Sequence, residues 1–247
     1  MSEFRIGDRL IGAGHPCYII AEAGINHNGD PRQAMRLIDA AKQAGASAVK
    51  FQKRDLPSLY PQSMLDDPRL GEQGLQYLIP VLQRCELSED DFLRVRKYAH
   101  AADMEFLCTP WDIPSVDFLE TLNLSVYKVG SPDLKNFPLL DRLAAVGKPL
   151  ILSTGMATEK EISTTCRRLE RLRINYSLLH CVSCYPATVD EANLRFLDWL
   201  RDSPPAAYPI GLSDHSLGNL VTLAAVARGA NIIERHLTLD RNAPGPD

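Results

Sequence analysis

The sequence predicts an α/β fold, a (β/α)8 barrel of the TIM type, on three observations. Short apolar, β-branched runs recur along the chain, each followed by a polar or glycine-rich loop and then by apolar residues at helical spacing. Eight such runs can be read, with seven helical patterns between them. The carboxyl-terminal ends of the runs are uniformly polar, and in such a barrel that edge carries the chemistry.

In order, the lead FRIGDRLIGAG reads as a hairpin. CYIIAE is the first barrel strand, and PRQAMRLIDAAKQAG is the first helix, with Asp30 as N-cap before Pro31 at the first helical position. SAVKFQ is the second strand. A stretch rich in Pro, Gly and charge then runs from Lys53 to about Glu86, and its length predicts an irregular functional loop. A helix over SEDDFLRVRKYAHAA follows, then strand MEFLCT, a helix beginning near Asp112, strand SVYKVG and helix NFPLLDRLAAVG. Strand KPLILST, a helix from Thr158 to Leu172, strand YSLLHCVS and helix ANLRFLDWLRD continue the rhythm. From Tyr208 to Asp240, YPIGL and NIIER flank the helical LGNLVTLAAVARG, which makes a final βαβ unit. After His236 the sequence LTLDRNAPGPD is loop chemistry, so the eighth helix is expected to be absent. The whole of 1–247 then reads as one barrel domain shortened at its C-terminus.

The formal charge of −4 argues against a nucleic-acid partner, while leaving room for small anions drawn in by local positive charge. No run approaches a membrane span, and MSEFRIGDRL has no signal core or basic targeting face, so a cytoplasmic protein is expected. Six cysteines lie mostly in apolar surroundings and read as reduced thiols. The pair Cys181 and Cys184 lacks the second pair that a zinc site would need.

The strand ends are chemically rich. The first ends at Glu22, followed by Asn26 and His27; the second carries Lys50 and Gln52, and the third Thr109. The fourth gives Lys128, Ser131 and Asp133, the fifth Ser153 and Thr154, and the sixth Ser183 and Tyr185. The seventh adds Ser213, Asp214 and His215, and the eighth Glu234 and His236. Two lysines and five hydroxyls around one rim make a cup for phosphate or carboxylate. His215 and His236 end adjacent strands, where two imidazoles suit manganese, iron or zinc. Glu22 beside His27, Lys50 and a metal reads either as a general base or as an ion-pair partner of Lys50.

With these residues aligned, the chain resembles the catalytic barrel of the sialic acid synthase family, which includes N-acetylneuraminate, legionaminate and pseudaminate synthases. The matching segments are AEAGINHNGD, VKFQK, TPWD, YKVGSPDLKNFPLL, KPLILSTGMAT, LLHCVSCYP, GLSDHS and IERHLTLDRNAPGPD. They span nearly the whole chain. The resemblance implies a transferase that condenses phosphoenolpyruvate with an N-acylated hexosamine such as N-acetylmannosamine and releases phosphate. It places Glu22, Lys50 and Lys128 at the reacting centre. Lys50, Thr109, Lys128, Ser131, Ser153, Ser183 and Ser213 fall where phosphoenolpyruvate is held, and Gln52, Asp133, Tyr185 and Asp247 fall around the sugar. His215 and His236 match the ligands of a divalent metal, manganese first, with magnesium or cobalt as alternatives.

The sequence departs from the family pattern in several places. Ser183 stands where some members have asparagine, Pro132 where a glycine is common, and Trp111 where phenylalanine is usual. The family chain continues past GPD into the eighth helix and a small antifreeze-like domain that reaches the partner's sugar site in a homodimer. Two rival readings remain: a Schiff-base aldolase using Lys50 or Lys128 on a pyruvyl unit, and a catalytically incomplete module that binds phosphoenolpyruvate and metal.

Overall fold

The computed structural model describes residues 4–72, 74–203 and 209–243. Phe4–Ile6 (β1) and Arg9–Ile11 (β2) form the antiparallel lead hairpin, with Phe4 opposite Ile11. Eight parallel strands follow: Tyr18–Gly24 (β3), Ala48–Lys53 (β4), Glu105–Pro110 (β5), Tyr127–Val129 (β6), Leu150–Ser153 (β7), Tyr176–Cys181 (β8), Ile210–Asp214 (β9) and Ile232–His236 (β10). Their order is β5-β4-β3-β10-β9-β8-β7-β6. The terminal strands β5 and β6 lie side by side, so the sheet curls into a nearly closed barrel. The expected seventh run began at Tyr208, which lies outside the described residues.

Helices clothe the outside, and their ends follow local chemistry. Pro31–Gln43 (α1) starts where the Asp30 side chain accepts from the Arg32 N–H, and it buries Ala34, Leu37, Ile38 and Ala41, one helical stripe. Leu56–Leu59 (α2), Gln62–Asp66 (α3) and Leu75–Cys85 (α4) occupy the stretch expected to be irregular. That expectation is corrected. Ile79, Leu82 and Cys85 recur at threes and give α4 a buried face that outweighs Pro80 within it, and this face packs onto Ile25 over the barrel mouth. Glu89–Ala101 (α5) is capped by Ser88 and Ile113–Glu120 (α6) by Asp112. Phe137–Val146 (α7) stops at left-handed Gly147, and Glu159–Arg171 (α8) opens with a capping box of Thr158 and Glu161. Phe196–Asp202 (α9) and Leu220–Ala227 (α10) complete the described set.

Strand alternation divides each strand between two environments. Outward residues such as Val49, Phe51, Phe106, Tyr127, Leu152, Leu178, Leu212 and Ile233 join the core shared with the helices. Inward residues Ile20, Ala48, Leu107, Val126, Ile151, Leu179 and Ile232 form a separate apolar layer inside the barrel, closed below by Phe4, Ile6 and Ile11 of the hairpin. Two residues further along each strand comes a polar layer: Glu22, Lys50, Thr109, Lys128, Ser153, Cys181, Ser213 and Glu234. The apolar layer is thus a dry floor, and the site stands on it.

Candidate active site

The polar layer and the residues above it line a cavity of about 420 Å3 at the carboxyl-terminal mouth. Glu22, Lys50, Gln52, Thr109, Lys128, Ser131, Ser153, Ser183, Tyr185, Ser213, His215 and His236 all face it. Asp133 does not line it: its Oδ1 accepts from Asn136 in the turn before α7, and burial holds its carboxyl above the usual range. Asp247 lies outside the described residues.

At the floor the charges are paired. Lys50 Nζ sits 2.7 Å from Glu22 Oε2 and 3.7 Å from Glu234 Oε2, and donates to Thr109 Oγ1 at 3.0 Å. Register explains the contact, since Glu22 and Lys50 are direct partners across β3 and β4. Lys128 Nζ donates to Ser153 Oγ at 2.6 Å and lies 3.8 Å from Glu234 Oε1. Glu234 in turn accepts from Ser213 Oγ at 2.9 Å, across the β9–β10 pair that sets those residues opposite each other. The ion-pair reading of Glu22 is therefore realised, and its Oε1 also accepts from Gln52 Nε2 at 2.8 Å.

Burial works against the charge of Lys50, but the Glu22 and Glu234 carboxylates outweigh it and hold its pKa above the ordinary lysine value. Lys128 goes the other way, because burial pulls it down and its more distant carboxylate only partly offsets this. Glu234 is buried too, yet Lys128 and Lys50 keep its carboxyl below the usual range. Two lysines and two carboxylates leave the floor near neutral, with hydroxyls around it that can turn toward an incoming anion.

The histidines stand one layer higher. Their ring centroids are 5.3 Å apart, and Tyr185 stacks on His215 at 4.0 Å. His215 Nδ1 lies 2.7 Å from the Val182 carbonyl, a bond that makes Nδ1 the protonated nitrogen and leaves Nε2 with its lone pair. Two imidazoles at this separation fit one ion, since rings bound through nitrogen at about 2.1 Å have centroids within roughly 6 Å of each other. Among the described residues no third His, Cys, Asp or Glu joins them, so the remaining positions would fall to water or substrate oxygen.

Four further rim residues from the sequence reading belong elsewhere. Asn26 lies outside the cavity lining and donates its Nδ2 N–H to the Leu237 carbonyl. His27 is buried outside the cavity, accepts at Nδ1 from the Gly29 N–H and is held down to about 4 by burial, so it shapes the turn after β3 and does not tune Glu22. Asp214 faces outward and binds Ser216, Thr222 and Arg235. The Thr154 hydroxyl donates to the Leu179 carbonyl. Alternation is the reason: Ser213 and His215 point in, so Asp214 points out. Cys181 and Cys184 are separate thiols, one buried in the cavity wall and one exposed.

The sequence reading missed two kinds of cavity residue. Arg54 and Trp111 line one side of the mouth, with the guanidinium 4.4 Å over the indole ring. Ile25, Leu59, Tyr60, Leu78 and Leu82 make an apolar wall, four of them from the α2–α4 segment. Extending the even-numbered face of β4 past its end would have flagged Arg54. No local signal indicated that the insert folds back over the mouth.

A barrel whose rim brings together paired lysines and carboxylates, a ring of hydroxyls and two facing imidazoles is an enzyme of the (β/α)8 class. The NeuB family profile matches residues 37–247, and the chain belongs to the NeuB family. An uncharacterised protein of Methanocaldococcus jannaschii is 39% identical over 248 residues, covering 100% of this chain and 69% of its own length. The N,N'-diacetyllegionaminic acid synthase of Legionella pneumophila is 38% identical over 96% of this chain and 68% of its own. A crystal structure of N-acetylneuraminic acid (sialic acid) synthetase from Leptospira borgpetersenii, in complex with citrate, superposes with a TM-score of 0.87 and 36% identity. It covers 99% of this chain and 81% of that one.

Proposed function

We propose that the chain is the catalytic barrel of a nonulosonic acid synthase, condensing phosphoenolpyruvate with an N-acylated hexosamine, N-acetylmannosamine among the candidates, and releasing phosphate. The observation that carries this is the layered cavity: an anion floor of Lys50 and Lys128 ringed by hydroxyls, with two imidazoles directly above it. In this reading the two lysines, Thr109, Ser131, Ser153, Ser183 and Ser213 hold the phosphate and carboxylate of phosphoenolpyruvate by charge-assisted hydrogen bonds. Holding both groups fixes the enol carbon against the acceptor and excludes hydrolysis. Gln52 and Tyr185 meet the sugar above it, and the resemblance assigns Asp133 and Asp247 to the sugar as well. Glu22, held by Lys50 and Gln52, would act as the general base that takes a proton from, or orients, the water adding to the reacting carbon.

His215 and His236 would hold a divalent cation, manganese first, which when bound supplies Lewis-acid polarisation of the acceptor's aldehyde oxygen. Among the described residues no helix is long and apolar enough to cross a membrane; a cytoplasmic location is part of the proposal. Phosphate release from phosphoenolpyruvate with manganese, run over a panel of mannosamine derivatives, tests the reading. Release that needs one sugar and is lost in His215→Ala and His236→Ala supports it. Sugar-independent release, or release untouched by both variants, refutes it.

A further inference from the structure

Arg54 is the cavity cation that the floor does not neutralise. Lys50, Gln52 and Arg54 alternate along one face of β4 and its continuation, so Arg54 stands roughly 13 Å of strand above Lys50, at 3.3 Å per residue. Hydrogen bonds trace that column: Gln52 Nε2 donates to Glu22 at the floor, and Arg54 Nη2 donates to Gln52 Oε1 at 2.6 Å. The indole face of Trp111 fixes the guanidinium plane at 4.4 Å. Arg54 is 8% exposed and lines the cavity, and its Nη1 is buried with no hydrogen-bond partner among the described residues. The indole Nε1 of Trp111 is in the same state. The cavity's ion pairs join Lys50 and Lys128 to Glu22 and Glu234 and leave Arg54 out. Among the described residues, Lys50, Lys128 and Arg54 thus line the cavity against Glu22 and Glu234.

Among the described residues no carboxylate lies within ion-pair distance of the guanidinium; Glu86, which accepts from the Arg54 backbone N–H, and Glu22 act on it only from farther off. A buried guanidinium with an open N–H and only distant counter-charge costs free energy that an anion would recover. A neutral carbonyl would fill the hydrogen bond and leave the charge. The anions of a ligand on the floor are met two layers below, so the group that Arg54 reads belongs to the second substrate, at the end farthest from the reacting carbon. Resting on the synthase reading, we propose that Arg54, seated on Trp111, is a specificity-determining residue that selects an acceptor bearing an oxyanion, phosphate or carboxylate, at its distal carbon.

The test is calorimetric binding of three acceptors that differ only at carbon six: N-acetylmannosamine, its 6-phosphate and its 6-carboxylate. Wild type, Arg54→Gln and Arg54→Lys are compared, with phosphate release followed in parallel. Wild type is expected to bind at least one anionic acceptor about tenfold or more tighter than the neutral sugar, the size of a charge-assisted hydrogen bond. Which anion wins separates phosphate from carboxylate. R54Q should shrink the ratio to within about threefold, and R54K, which keeps the charge but not the planar fork, should retain part of it. Equal binding of all three by wild type overturns the proposal whatever the variants do, and would mean that Asp133 or Glu86 serves as counter-ion. A ratio unchanged in R54Q overturns it as well. Turnover without an anion preference leaves the synthase reading standing alone, whereas a preference that depends on Arg54 without turnover leaves Arg54 standing and refutes the synthase.

Discussion

Replacing Lys50 with methionine keeps the length of the side chain and removes its charge, leaving Glu22 and Glu234 buried beside an apolar group. At an effective dielectric constant of about 20, the attractions lost at 2.7 and 3.7 Å are roughly 6 and 4.5 kcal/mol before desolvation is counted. The lysine's own desolvation cost disappears with it, so the net loss falls to about 3–5 kcal/mol, the usual cost of orphaning a buried charge. For a domain of this size that lowers Tm by roughly 6–20 °C. Urea and thermal unfolding of K50M at neutral pH measure it. Two further arms identify the cause. Lowering the pH protonates the orphaned carboxylates, so the deficit against wild type should narrow, and adding Glu22→Gln should recover part of the loss, giving a coupling energy above about 1 kcal/mol. The sign for wild type runs the opposite way. Because the Lys50 pKa is raised in the fold, its contribution is complete below the ordinary lysine value and is lost only as pH rises through the higher folded value. A K50M cost below about 1 kcal/mol, as for a solvent-exposed pair, or a double variant no more stable than K50M, would refute this account of the floor.

Three other outcomes are expected. Gly211→Ala would set a Cβ 2.2 Å from the Ile232 carbonyl oxygen and 2.5 Å from Leu179 Cδ2, so it should cost at least about 2–3 kcal/mol in chemical denaturation; a neutral G211A would show that β9 does not pack as described. Glu161 is held down to about 2 by Lys135 and the Thr158 backbone and hydroxyl. Its capping box should therefore contribute fully above the ordinary glutamate value and fade as pH falls through about 2, and the stability gap between wild type and Glu161→Gln should close over that acidic window in NMR-monitored titration. Borohydride with pyruvate should leave no adduct detectable by mass spectrometry. Lys50 is kept protonated by its carboxylates, and the Lys128 amine donates to Ser153 and to the Val129 carbonyl; a trapped adduct on either would favour imine chemistry.

Most of the barrel was legible in the chain because its signals are local. Asp30, Ser88, Asp112, Asn136 and Thr158 cap helices where their sequence positions say they should. Each strand run lies within a residue or two of its place in the fold, apart from ends that the loops trim. The even spacing of Lys50 and Gln52, or of Ser213 and His215, likewise foretells which residues share the interior. What misled was proximity along the chain. Asp214, Thr154 and His27 sit beside site residues in sequence and face away from them in space.

The sequence by itself determined the parallel barrel and the polar ring at its mouth, because strand periodicity, caps and turn residues act over a few positions and are written locally. Only the tertiary structure decided how the ring is wired. Lys50 pairs with Glu22 through the β3–β4 register, Glu234 serves both lysines from the far side, and Arg54 rests on Trp111 with no ion-pair partner among the described residues. Those choices depend on strand register, on closure of the barrel and on α4 folding back onto Ile25, all of which join residues far apart in the chain. No window of sequence contains both partners of such a contact, and the charge left over at Arg54 emerges only when every other pair has been made.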